Sequence, residues 1–181
     1  EEMMTAIEPA SKLAVAGSVD LKDATNAVIN AMEAYKDTGL TATQATEIFA
    51  KGVGVGKWEL NDFLAEMMKN INVASELGIG FQELAAYNVA LQNSFVDSSE
   101  AGSALKMMLM NLVEQQVIDK LGAMGVAVSD ANGNFRGMIP IMSDLDDVLN
   151  AHYTEVERNT ILTELFGARS VNAANALMRQ K

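Results

Sequence analysis

The sequence predicts a mainly α-helical protein: a compact multi-helix domain of αα-hairpins, with one small β-hairpin near residues 126–137. Three observations carry that prediction. Apolar residues recur at the i, i+3, i+4, i+7 spacing of a helix face over most of the chain. The periodic runs stop at glycines and restart at capping residues. Twelve Met and many Ala, against two Pro and six Phe, suit helix-on-helix packing better than a sheet.

Residues 3–16 read as a first helix, with Gly17 as its stop. Pro9 must lie in the first turn of that helix or kink it. Ser18-Val19-Asp20-Leu21 opens a second helix, with Leu21, Ala24, Val28, Ala31, Met32 and Tyr35 on one side and Gly39 at its end. Thr41-Ala42-Thr43-Gln44 has the form of a capping box, so a shorter third helix runs to about Lys51. Lys51-Gly52-Val53-Gly54-Val55-Gly56-Lys57-Trp58 reads as a flexible linker. A fourth helix begins at Lys57 or Trp58, carries Leu60, Phe63, Leu64, Met67, Met68 and Ile71, and ends at Gly78. A fifth runs from Phe81 to about Ser94 around Leu84, Ala85, Val89 and Leu91.

The central helix spans Asp97 to Val113, with Ser98 or Ser99 as its cap. Ala101, Ala104, Leu105, Met108, Leu109, Leu112 and Val113 form one face, and Met107 and Met110 extend the apolar surface on its flanks. Gly in a helix costs about 1 kcal/mol relative to Ala. Gly102, set among Ala101, Ser103 and Ala104, therefore implies close approach of another backbone, with nothing polar converging there. Beyond Gly122 and Gly125, Val126 and Val128 alternate with small or polar residues before Asn132-Gly133, a two-residue turn signal. This is the expected β-hairpin. Ser143-Asp144-Leu145-Asp146 then caps a helix to about Ala151. Thr154-Glu155-Val156-Glu157 is a second capping box, for a helix with Ile161, Leu162, Leu165 and Phe166 inward. Gly167 interrupts, and residues 168–179 form the last helix.

Residues recur at an offset of 39: Leu21 with Leu60, Asp23 with Asp62, Gly39 with Gly78, Leu40 with Ile79. Residues 1–95 thus read as two αα-hairpin units, and residues 96–181 as the central helix, the β-hairpin and the C-terminal helices, continuous with the first part in one domain.

Three stretches also resemble a known family. Ala101-Gly102-Ser103-Ala104-Leu105-Lys106, with Leu112 trailing, resembles the Ala-Gly-Thr-Ala-Leu-Arg motif in the core of bacteriophage tail tape measure proteins; Ser103 and Lys106 depart from it. Gly125-Val126, Val128, Asp130 and Gly133-Asn134 resemble that core's Gly-Val-x-Val-x-Asp-x-x-Gly-Asn element. Leu165-Phe166-Gly167-Ala168-Arg169 resembles its Leu-Phe-Gly-x-Arg element, and Leu77-Gly78-Ile79 its Leu-Gly-Ile turn. The resemblance marks Ala101, Gly102, Ala104, Leu105, Asp130, Gly133, Phe166 and Gly167 as structural motif positions. It implies a non-catalytic structural segment in the virion tail, acting in tail assembly, tail length determination and passage of DNA. Tail tube and tail tip or baseplate proteins are the implied partners.

The residues themselves narrow the chemistry. A net charge of −11 opposes binding to nucleic acid and to anionic membranes. No apolar run is long enough to span a bilayer, and no leader is expected. The start at Glu1 rather than Met suggests a piece of a longer protein. Without cysteine there is no disulfide framework and no thiolate metal site. The glycine-rich stretch 51–58 fails as a phosphate loop, because a Walker pattern ending at Lys57 needs Gly at 51 and Ser or Thr at 58. Residues 130–134 fail as a calcium loop, whose sixth and twelfth positions would be Phe135 and Ile141. His152 stands alone and reads as a surface residue at a helix end. Asp144, Asp146, Asp147, Glu155 and Glu157 read as a solvated acidic face, with weak cation binding as the alternative. No catalytic residue, cofactor or metal is expected. The competing reading is a helical protein–protein interaction or adaptor module unrelated to tails. An enzyme, such as a cell-wall hydrolase, would have to work with carboxylates alone. Met- and Ala-rich helix faces make self-association a further expectation.

Overall fold

The computed structural model describes residues 2–92, 94–95 and 97–180. Among these residues lie ten α-helices: α1 (Glu2–Gly17), α2 (Leu21–Ala34), α3 (Ala42–Val55), α4 (Leu60–Glu76), α5 (Phe81–Leu91), α6 (Ser98–Asn111), α7 (Gln115–Ala123), α8 (Met138–His152), α9 (Glu155–Phe166) and α10 (Val171–Met178). Short 3-10 turns follow α2 and α9, at Lys36–Thr38 and Ala168–Ser170. One continuous apolar core runs from Ala6 on α1 to Met178 on α10.

Local chemistry explains the starts and stops. Asp20 caps α2 by accepting the Lys22 N–H at 2.7 Å. Both expected capping boxes form: Thr41 with Gln44 at α3, and Thr154 with Glu157 at α9. Gly39 and Gly78, at φ +71° and +73°, turn the chain after α2 and α4 in the left-handed region that glycine enters freely. The two turns touch: Tyr35 donates its hydroxyl to the Ile79 carbonyl at 3.0 Å, and Ser75 donates to the Ala34 carbonyl.

Several expectations are corrected. α1 ends at Gly17 as expected, but the left-handed residue that closes it is Ser18, at φ +54°, with the Val19 N–H on the Ala14 carbonyl. α1 continues through Pro9, which has no N–H to give to the turn before it. Leu21 is exposed, sitting at the first turn of α2. The stretch read as a flexible linker is helical to Val55, because Gly52 packs under the buried ring of Phe63; a Cβ there would lie 2.3 Å from the ring. α4 starts at Leu60, and α5 ends at Leu91; Asn93, within the expected α5, lies outside the described residues. Asp97, not a serine, caps α6, accepting the Ser99 N–H at 2.7 Å. Met107, Met110 and Val113 face solvent instead of widening the buried stripe. A separate helix, α7, follows and buries Val117 and Leu121. α8 starts at Met138, five residues ahead of Ser143, with Pro140 in its first turn, where a missing N–H is tolerated.

The expected β-hairpin is the largest correction. Among the described residues there is no strand, only a single antiparallel bridge between Ser129 and Phe135. The pairing stops because the chain enters through Gly125 at φ +81° and leaves through Gly137 at φ +87° directly into α8. Val126 and Val128 are buried, so the loop is held by packing rather than by a ladder.

Candidate functional site

α6 packs against both earlier and later helices of the chain. It packs on α4 and α5 on one side and on α9, α10 and the 168–170 turn on the other. Ala101, Gly102, Ala104, Leu105, Met108 and Leu109 are buried along it.

The α4–α6 seam is polar where the sequence predicted none. Glu66 is 1 % exposed and Asn70 is fully buried, both on the face of α4 that carries Phe63, Met67 and Ala74. Glu66 Oε1 accepts from Lys69 Nζ at 2.9 Å, and the same ammonium donates to the hydroxyl of Ser99 at 2.8 Å and its carbonyl at 3.1 Å. Asn70 Nδ2 bridges the carbonyls of Glu66 (3.1 Å) and Gly102 (3.2 Å). Behind them, Asn88 of α5 donates to the Leu84 carbonyl at 2.9 Å and to Met67 Sδ at 3.4 Å. Among the described residues, Glu66 Oε2 and the Oδ1 atoms of Asn70 and Asn88 find no hydrogen-bond partner.

Gly102 is what admits this cluster. A Cβ at that position would lie 1.6 Å from Glu66 Oε2. The close approach expected at Gly102 therefore exists, but its partner is a side-chain carboxylate, not a backbone. Burial pushes the Glu66 carboxyl above its ordinary value of 4.5; the Lys69 ammonium and the Gly102 amide pull it back part of the way. A buried carboxylate on a single lysine adds little net stability, but removing one partner is costly. The pair lies within α4; what sets α4 against α6 are the bonds that cross between them, from Lys69 to Ser99 and from Asn70 to Gly102. The signal for it was in the sequence: Glu66 and Asn70, four residues apart, occupy apolar-face positions of α4.

The other face of α6 brings two of the resemblance stretches together. Phe166 is fully buried at the end of α9, and Gly167 turns the chain at φ +81°. A Cβ at Gly167 would lie 3.3 Å from Met107 Sδ. Ser170 donates to the Ala104 carbonyl at 3.4 Å, and Asn111 Nδ2 to the Leu165 carbonyl at 3.2 Å. Asp130 and Gly133 sit elsewhere. The hydrogen bonds of the Asp130 carboxylate stay within its own loop: Oδ1 accepts the N–H groups of Asn132 (2.8 Å) and Asn134 (2.9 Å).

A model of the family described as phage-related minor tail protein matches residues 1–167. The chain belongs to that family. No curated protein and no solved structure matches it. Its role is therefore structural, as a component of a phage tail. Three of the five carboxylates offered as a cation site by the sequence are otherwise engaged: Asp144 pairs with Arg136 at 2.8 Å, Asp146 with Arg158 at 3.1 Å, and Glu157 closes its capping box. Among the described residues no cluster of three metal-ligating side chains occurs, and no helix is long and apolar enough to cross a membrane. His152 ends α8 and is exposed.

Proposed function

We propose that this chain is a segment of a tail tape measure protein, acting in tail assembly and in setting tail length, with the tube left open to DNA on ejection. Within that protein it serves as a folded docking module rather than as the ruler. The observation that carries this reading is the meeting of the two tape-measure-like regions, Ala104 and Met107 on α6 against Gly167 and Ser170 in the turn after α9. Family membership supports the tail context. The module reading rests on element length: the longest helix, α4, has 17 residues, about 25 Å at 1.5 Å per residue. A ruler needs extended helix, and this chain turns back at Gly39, Gly78, Gly125 and Gly167. Tail tube and tail tip or baseplate proteins are its proposed partners. Self-association is proposed through the exposed Met107 and Met110 of α6 and Val113 just after it.

The test is genetic and structural. A few residues inserted at 131–133, in a loop, should leave tail length unchanged by electron microscopy. Gly102→Leu should give absent or irregular tails. Tails lengthening by about 1.5 Å per inserted residue would make this segment part of the ruler. Small-angle scattering of the chain should give a compact particle; a rod-like profile would refute the module.

A further inference from the structure

The stretch read as a linker builds one wall of a groove that the tail role leaves unexplained. α3 presents Ile48, Lys51, Gly52 and Val55 to it, at i, i+3, i+4 and i+7. Facing them, α5 presents Gln82, Ala85, Ala86, Val89 and Ala90, at i, i+3, i+4, i+7 and i+8. The groove has a volume of about 590 Å³ and is open to solvent. Gly52 and Ala85 are buried in its floor, while Val55 stands 78 % exposed at its edge. Each wall is about 10–12 Å long, two helical turns. Two apolar ridges with small residues between them suit the receptor half of helix-in-groove recognition, read as anchors at i, i+3 or i+4, and i+7.

Charge selects the occupant. The chain holds 24 acidic residues against 13 basic ones, yet no carboxylate lines this groove and two lysines do. Lys51 and Lys57 are exposed, and neither ammonium enters an ion pair among the described residues. They outweigh the partial negative charge at the carboxyl end of α3. Gln92, 4 % exposed, lines the same groove; its Oε1 accepts the N–H groups of Lys57 and Trp58, and its Nε2 has no partner among the described residues. The exposed apolar stripes that this chain could offer from a second copy are mismatched. Met107 and Met110 on α6 run beside Lys106, and Met4, Ile7 and Val15 on α1 run beside Lys12 and Glu8, which pair with each other and leave no free acidic flank among the described residues.

We infer that the α3–α5 groove is a docking site for an acidic amphipathic helix of another chain, its apolar stripe between the two ridges and its Asp or Glu flank against Lys51 and Lys57. The test titrates the full chain, isotope-labelled for NMR, with two synthetic helical peptides of about three turns. Both carry Leu at helical spacing; one is flanked by Glu and its twin by Lys. The Glu peptide should perturb α3 and α5 and bind at least about tenfold tighter than the twin, a gap that narrows with salt. Lys51→Glu with Lys57→Glu, both at exposed positions, should reverse the preference. Equal binding of the two peptides, binding of neither, or perturbation centred on another face would overturn the inference. So would self-association of the unliganded chain that the paired substitution abolishes, which would make a second copy the occupant.

Discussion

Gly102 and Gly133 lie in the two stretches that most resemble the tape measure core, and they are glycines for opposite reasons. Gly102 has ordinary helical backbone and no room: the Glu66 carboxylate occupies the space a side chain would take. Gly133 has no neighbouring atom within 4 Å of a would-be Cβ, but its φ is +85°. One position is set by packing between distant segments, the other by the backbone of its own turn. A glycine in a sequence announces neither cause, and the seam and the loop should therefore respond differently to the same substitution.

The largest contrast comes from alanine. Gly102→Ala should destabilise by about 2 kcal/mol, since the Glu66 carboxylate must leave its place beside Lys69 or the helices must part. Urea unfolding measures it. In a Glu66→Ala background the same change should cost at least about 1 kcal/mol less, because the clashing atoms are gone. Equal costs in both backgrounds would show that the space at Gly102 is not made for Glu66. Gly133→Ala should cost about 1 kcal/mol from backbone strain alone, and that cost should be the same in the Glu66→Ala background.

This contrast also explains what could be read from the sequence. Helix starts governed by a side chain three residues away were legible, as at Thr41–Gln44 and Thr154–Glu157, because the cause lies within one turn of chain. Left-handed glycines at 39 and 78 were legible for the same reason. The pairing across the polar seam was not: Glu66 and Asn70 stand out on the apolar face of α4, but Gly102 is far from them in sequence and only the folded backbone brings it there. Nor was the helical state of residues 52–55, where glycine propensity argued against helix and the Phe63 ring overrode it. The β-hairpin failed in a third way. Asn132-Gly133 did mark a turn, but Gly125 and Gly137 left too few residues between them for strands, and α8 begins at once.

The two carboxylates that belong to these regions should pull stability in opposite directions with pH. Glu66 is held above its ordinary 4.5 by burial, so the folded chain keeps that proton to higher pH than the unfolded chain. Its contribution is present below the unfolded value and is lost as pH rises through the folded one. Asp130 is held below its ordinary 3.8, chiefly by the Asn134 N–H. Its contribution is present above the unfolded value and is lost as pH falls through the folded one. Unfolding free energy measured against pH should show the Glu66 decline, and Glu66→Gln should abolish it while leaving the acid limb in place. A Gln variant with an unchanged profile would assign the decline to other groups.

The smallest effect should come from Asp130→Ala, and its smallness is the informative part. The Asp130 carboxylate is solvent-exposed and serves only its own loop, gathering the N–H groups of Asn132 and Asn134. Removing it frees two loop amides, which should lose protection in hydrogen exchange. The buried residues beneath, Val126 and Val128, are anchored by packing and should hold the loop on the helices without it. The amides of α6 and the global unfolding midpoint should therefore hardly move. If α6 amides lost protection together with those of the loop, Asp130 and the α4–α6 seam would belong to one cooperative unit, and the division between a packed hub and a self-contained turn would not stand.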